Sequence, residues 1–134
     1  DLHFPLRRQR QMCIRDSFGD LNYEQKNGSA ASNSTRGLFF GGNDGGNPYT
    51  NNISFITIAT KGNAMDFGDL TVSAGGGGSS SSSTRAVRGG GLAPGNSNVI
   101  DFVEIATTGN AVDFGNLNAK GHNLQGFSNG HGGL

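Results

Sequence analysis

Tryptophan is absent and cysteine occurs once, as Cys13. A single thiol near one end excludes a disulfide framework and a cysteine-rich zinc site in the rest of the chain. Charge is scarce as well: acidic and basic residues make up 15% of the sequence, ten of each. Beyond Phe18 there are six lysines and arginines against eight aspartates and glutamates, a balance of −2. That balance lacks the basic footprint of a nucleic-acid binder. No run approaches the ~20 apolar residues of a membrane-crossing helix. No window sustains a helical period. Nucleic acid, a membrane span and a cofactor are therefore not expected.

What the chain does have is glycine, 24 residues of it, with abundant serine, asparagine and threonine. The apolar residues gather in short β-branched and aromatic runs separated by Gly/Asn clusters. Such clustering predicts short strands joined by tight turns. The fold class expected is all-β.

The first seventeen residues stand apart. Arg7-Arg8-Gln9-Arg10-Gln11-Met12-Cys13-Ile14-Arg15-Asp16-Ser17 resembles one translated frame of a transposase sequencing adapter, and Asp1-Leu2-His3 fits the primer before it. The resemblance implies a translated metagenomic read whose own protein sequence starts near Phe18. The competing reading is a basic arm or a targeting peptide.

An internal repeat follows. Residues 53–70 and 100–117 are identical at twelve of eighteen positions, at an offset of 47. Ser34-Thr35-Arg36 recurs as Ser83-Thr84-Arg85, and Gly41-Gly42 recurs as Gly90-Gly91, at an offset of 49. The two-residue difference falls in the loops 43–52 and 92–99, where length changes are tolerated. The pattern divides the chain into the end of one repeat (18–21), a repeat at 22–70, a repeat at 71–117 and a truncated third at 118–134. The tract 75–83, four glycines and five serines, interrupts the second repeat.

Four strands per repeat are expected. The first lies near Leu70–Ala74, and near Leu117–Leu124 in the next copy. The second is Thr35–Phe40 (Thr84–Arg88). The third is Ile53–Ala59 (Val99–Ala106). The fourth is Ala64–Leu70 (Ala111–Leu117), reached through a Gly62-Asn63 or Gly109-Asn110 turn. The third strand is apolar at Ile53, Phe55, Ile56 and Ile58. Apolar residues of both parities imply a sheet covered on both faces. The Gly/Ser tract carries nothing to bury, so a strand there is expected to be missing or disordered.

An apolar strand ending in Gly-Gly, then Asn98-Val99-Ile100-Asp101-Phe102-Val103-Glu104-Ile105, then an aromatic a dozen residues on, resembles the kelch repeat. The period agrees with the ~50 residues of that family. The resemblance spans residues 18–134 and implies a fragment of a β-propeller, about two blades with partial repeats at both ends. The tryptophan usual in the fourth strand is replaced by Phe67 and Phe114. The wording Ser-Thr-Arg, Gly-Gly, Ala-Thr-x-Gly-Asn-Ala-x-Asp-Phe-Gly-Asp-Leu is also similar to repeats of marine phage structural proteins. Copper-radical oxidases share the kelch fold but need a tyrosine–cysteine pair with histidines. With Cys13 in the foreign segment and Tyr23 and Tyr49 the only tyrosines, this stretch cannot supply that site.

Arg36 and Arg85 share one repeat position and are the candidate binding residues. They either line a central channel toward a ligand or pair with Asp66, Asp113 or a backbone carbonyl to hold the repeat. The second reading is preferred. Asp66 and Asp113 read as structural, because active sites rarely recur in each blade. Asn43-Asp44-Gly45-Gly46-Asn47 has oxygen ligands but one carboxylate, so a turn is preferred to a calcium loop. His122 and His131 have no third ligand near in sequence. The Gly75–Gly78 tract has no lysine partner and precedes no helix, which excludes a phosphate loop. No catalytic, metal or cofactor residue is assigned. The expected function is non-enzymatic: a virion or extracellular module presenting loops to a glycan or protein. An intracellular kelch-type scaffold, or a fragment of an enzyme with its site elsewhere, is the alternative.

Overall fold

A computed structural model of the chain describes residues 17–43, 49–92 and 95–128. Segment 1–16, most of the adapter-like stretch, lies outside the described residues. Eight strands follow in order: β1 (Ser29–Ser32), β2 (Arg36–Phe40), β3 (Asn52–Thr57), β4 (Met65–Asp69), β5 (Gly78–Ser81), β6 (Arg85–Gly89), β7 (Ser97–Glu104) and β8 (Val112–Gly121). They form two four-stranded antiparallel sheets, β1-β2-β3-β4 and β5-β6-β7-β8. The chain is all-β, with no helix among the described residues.

Each sheet is a meander shaped by the repeat motifs. Gly41 and Gly42 have φ of 58° and 95°, and Gly90 and Gly91 have 73° and 110°. That left-handed backbone admits glycine readily and other residues poorly. It turns the chain out of β2 and β6 so that Gly42 N donates to Ala74 O and Gly91 N to Gly121 O. The Asp-Phe-Gly motif makes a β-bulge. Ser54 opposes Asp66 and Ile53 opposes Gly68, which leaves Phe67 as the extra residue. The second sheet repeats the irregularity at Phe114. A bulge re-aims a side chain, and here it sets Phe67 edge-on to Phe55 at 5.8 Å, and Phe114 edge-on to Phe102 at 5.8 Å.

The core lies between the sheets. Leu38, Phe40, Ile53, Phe55 and Phe67 of the first meet Ala86, Val103, Ile105 and Ala111 of the second. The first sheet thus uses one side-chain parity and the second sheet the other. Strand meets strand across the two sheets at β1 against β5 and β6. Small residues make that approach possible: Ser-Ala-Ala-Ser on β1 and Gly-Ser-Ser-Ser on β5.

Two expectations are corrected. The Gly/Ser tract is not missing from the sheet, because Gly78–Ser81 is a strand paired with β6 along its whole length. Its hydroxyls replace a hydrophobic face: Ser79 Oγ donates to Ala30 O, and Ser81 Oγ donates to Ser32 O at 2.7 Å. Nor do first strands lie at Leu70–Ala74 and Leu117–Leu124. Leu70–Ala74 crosses between the sheets, with Ala74 N bonded to Thr50 O, and residues 117–121 prolong β8. In each sheet the first strand comes just before the second in sequence.

Candidate functional site

Of the two arginines singled out by the repeat, Arg36 reaches the seam between the sheets and Arg85 does not. Arg36, at the start of β2, lays its guanidinium over the Phe55 ring, 4.6 Å from the centroid. From there its NH1 group donates to the carbonyl of Ile105, just past the end of β7, at 2.8 Å. The aromatic face holds the cation and the backbone carbonyl accepts its hydrogen bond, so Arg36 ties one sheet to the next. Arg85 takes the same pose over Phe102, at 4.5 Å. Its partner differs: the guanidinium pairs with Glu104 at 3.2 Å, with both side chains about half exposed.

A backbone stitch runs beside this clasp. Gly109 N donates to Phe67 O, and Ala111 N donates to Asp69 O, both at 2.8 Å. Asp69 N returns a bond to Asn110 Oδ1 at 3.1 Å. The Gly-Asn-Ala segment of the second sheet therefore reads the Phe-Gly-Asp segment of the first. The same three bonds join Gly62-Asn63-Ala64 to Phe18-Gly19-Asp20. The approach is close: a Cβ on Gly68 would stand 2.2 Å from Gly109 O, and one on Gly19 would stand 2.1 Å from Gly62 O. Gly62-Asn63 was expected as the hairpin turn, but the chain turns earlier, at Ile58–Thr60, where Thr60 N donates to Thr57 O at 3.3 Å; Gly62 and Asn63 bond the Phe18-Gly19-Asp20 segment instead.

Arg88 and Asp101 form the part of the seam that sequence reasoning missed. They face each other across β6 and β7, and each is 1% exposed. Thr71 binds Asp101 from the connection between the sheets, through its amide at 3.2 Å and its hydroxyl. Burial lowers the pKa of Arg88, and the Asp101 carboxylate opposes that shift. No nitrogen of the guanidinium has a hydrogen-bond partner among the described residues. The signal was present in the antiparallel register, which sets Arg88 opposite Asp101 once the two strands are paired.

The remaining candidates stay apart. Asp66 accepts a bond from Asn52 Nδ2 at 3.4 Å on the exposed edge of its own sheet. Asp113 opposes Asp101 in the β7–β8 ladder. His122 pairs with Asn96 at 2.6 Å. His131 and Asp44–Asn47 lie outside the described residues, and of that turn only Asn43 is seen, bridged to Lys26. Gly75 of the glycine tract is bridged to Leu92. Among the described residues no three histidines, cysteines or carboxylates cluster. Two open clefts of about 270 and 340 Å³ repeat each other beside the Gly-Asn segments, lined by residues such as Phe55, Thr60 and Asn63, or Phe102, Thr107 and Asn110. No helix among the described residues is long and apolar enough to cross a membrane. Neither the known family models nor the curated proteins contain a match to this chain.

Proposed function

We propose that the two sheets are successive blades of a kelch-like propeller, and that the chain belongs to a non-enzymatic module presenting loops to a glycan or protein. The wedge between the sheets carries this reading. Small residues bring β1 against β5 and β6, while phenylalanine and branched residues fill the space between the strands outside them. A stack that is thin on one side and thick on the other curves, and repeated curvature closes a ring; propellers do so with 4–8 blades. Arg36 and Arg85 are then blade clasps and not ligand contacts. The parts left for recognition are the loops, rich in Asn, Thr and Gly.

The test is a paired screen of the full chain. Saturable binding to a glycan or protein array, with no turnover of glycoside, ester and peptide substrates, supports the reading. Reproducible turnover overturns it. Small-angle scattering checks the architecture separately: curved, wedge-like stacking supports blades, and a straight sheet stack removes them.

A further inference from the structure

The two sheets use opposite faces to meet, so each end of the pair shows the face its neighbour has buried. On the second sheet, Ile100, Phe102 and Phe114 occupy the places of Ile53, Phe55 and Phe67. The latter three are buried, yet Phe114 is 56% exposed. On the first sheet, Ile56 and Ile58 occupy the places of Val103 and Ile105. Ile105 is fully buried, whereas Ile58 is 45% exposed. Polar groups match as well. Arg85 is poised over Phe102 as Arg36 is over Phe55, but it lacks the carbonyl of a following sheet. A Cβ on Gly115 would meet nothing within 4 Å, where one on Gly68 would strike Gly109 O. Ser54 holds the place of Asp101, and its hydroxyl is buried without a partner.

We propose that the second sheet of one copy docks on the first sheet of a second copy, head to tail, remaking the seam seen within the chain. Phe114-Gly115-Asn116 takes the Gly62-Asn63-Ala64 segment of the second copy, and Arg85 donates to the Ile58 carbonyl of that copy. Two short tails stand in the way, and each is exchanged like for like. Phe18-Gly19-Asp20 makes the bonds that Phe114-Gly115-Asn116 would make. Residues 125–127 run beside β5, where Ser80 Oγ donates to Phe127 O at 3.0 Å, and β1 of the second copy would take their place. Exchange of equivalent segments is a low-cost route to assembly. The gain is cover for Ile100, Phe102 and Phe114 against Phe39, Ile56 and Ile58.

This inference rests on the blade reading only for its closure. With two sheets per copy, rings of 4–8 blades correspond to roughly two to four copies. A head-to-tail contact that does not close makes an open filament.

The experiment is sedimentation velocity of the full chain over a concentration series, with Phe114→Ser and Ile58→Ser. Both residues are exposed, and circular dichroism of each variant checks that it folds. The expected result is a discrete assembly of two to four copies for the parent and a monomer for each variant. Mixing the two variants should give a dimer and nothing larger, since one intact junction remains between them. Filaments that both variants abolish would keep the docking and remove the closed ring. A parent that stays monomeric at every soluble concentration overturns the docking and leaves the blade reading standing. Assembly that survives both substitutions, or a mixture that gives no dimer, also overturns it.

Discussion

Phe67 and Phe114 sit on equivalent bulges and keep the same edge-on contact with a neighbouring phenylalanine, yet Phe67 is 3% exposed and Phe114 56%. The residues around them agree just as closely. Arg36 and Arg85 both cap an aromatic ring, but one reaches across the seam to Ile105 and the other folds back to Glu104. Each sheet therefore builds its docking face by itself. The T-shaped pair, the bulge and the arginine cap do not need the neighbour that buries them, because the second sheet forms all three without it. The neighbour supplies burial and the last hydrogen bond.

The twin positions turn stability measurements into internal controls, at concentrations below self-association. The largest contrast is at the phenylalanines. Phe67→Ala removes a buried ring and should cost about 3–5 kcal/mol. Phe114→Ala removes a mostly solvated one and should stay within ~1 kcal/mol, near the range of surface changes. Urea unfolding of both variants measures the pair. Equal costs would mean that the neighbouring sheet adds no burial at Phe67, or that Phe114 is covered as well.

The glycines give the next contrast. Gly68 and Gly115 have φ of 151° and 153°, so a side chain brings the same strain, about 1–3 kcal/mol, at either site. Only at Gly68 does the new Cβ also strike a neighbouring carbonyl, which adds overpacking of about 1–3 kcal/mol. Gly68→Ala should therefore exceed Gly115→Ala by that second amount, read from chemical denaturation. Similar losses would show that the close approach of the sheets yields easily.

At the arginines the contrast narrows. Both alanine variants lose a cation–π contact, so that part cancels. Arg36→Ala also loses a charged donor to a backbone carbonyl, about 1.5–3 kcal/mol. Arg85→Ala loses a half-exposed ion pair, about 0–1 kcal/mol. Thermal melts should place Arg36→Ala below Arg85→Ala by roughly 1–2 kcal/mol. A reversed order would return Arg85 to the list of functional groups.

The twins also show what could be read ahead of the structure. The second, third and fourth strands of each sheet were legible because their residues are branched or aromatic and bounded by Gly or Asn. The first strand of each sheet was not, because Ser29–Ser32 and Gly78–Ser81 carry no branched or aromatic residue. Their ladders are held by the backbone, and the hydroxyls of Ser79 and Ser81 bond carbonyls of β1, a role that favours the residues that otherwise mark disorder. Arg36 was legible as a structural arginine, and a backbone carbonyl was among its expected partners. That the carbonyl belongs to Ile105, 69 residues on, depends on how the sheets stack. Arg88 and Asp101 were passed over because the first repeat has Phe39 and Ser54 in their places, so the repeat itself concealed them.

The smallest contrast separates the repeats by pH. Tyr23 donates its hydroxyl to Gly41 O at 3.0 Å, and the matching place in the second repeat holds Val72. Burial pushes the Tyr23 phenol up from 10.0 to about 12. The folded chain thus holds this proton at pH values where the unfolded chain has released it. Below about pH 10 both states are protonated and the group adds no pH dependence. Between about pH 10 and 12 the folded state binds more protons, so stability falls as pH rises. Tyr23→Phe should be slightly less stable at neutral pH, by about 0.5–1.5 kcal/mol for the lost hydrogen bond. The deficit should then shrink as pH climbs through this window, because the variant has no phenol to ionise. Melting temperatures of parent and variant at stepped pH decide it. Curves that stay parallel to the end of the window would place the Tyr23 hydroxyl in solvent and remove its bond to Gly41 O.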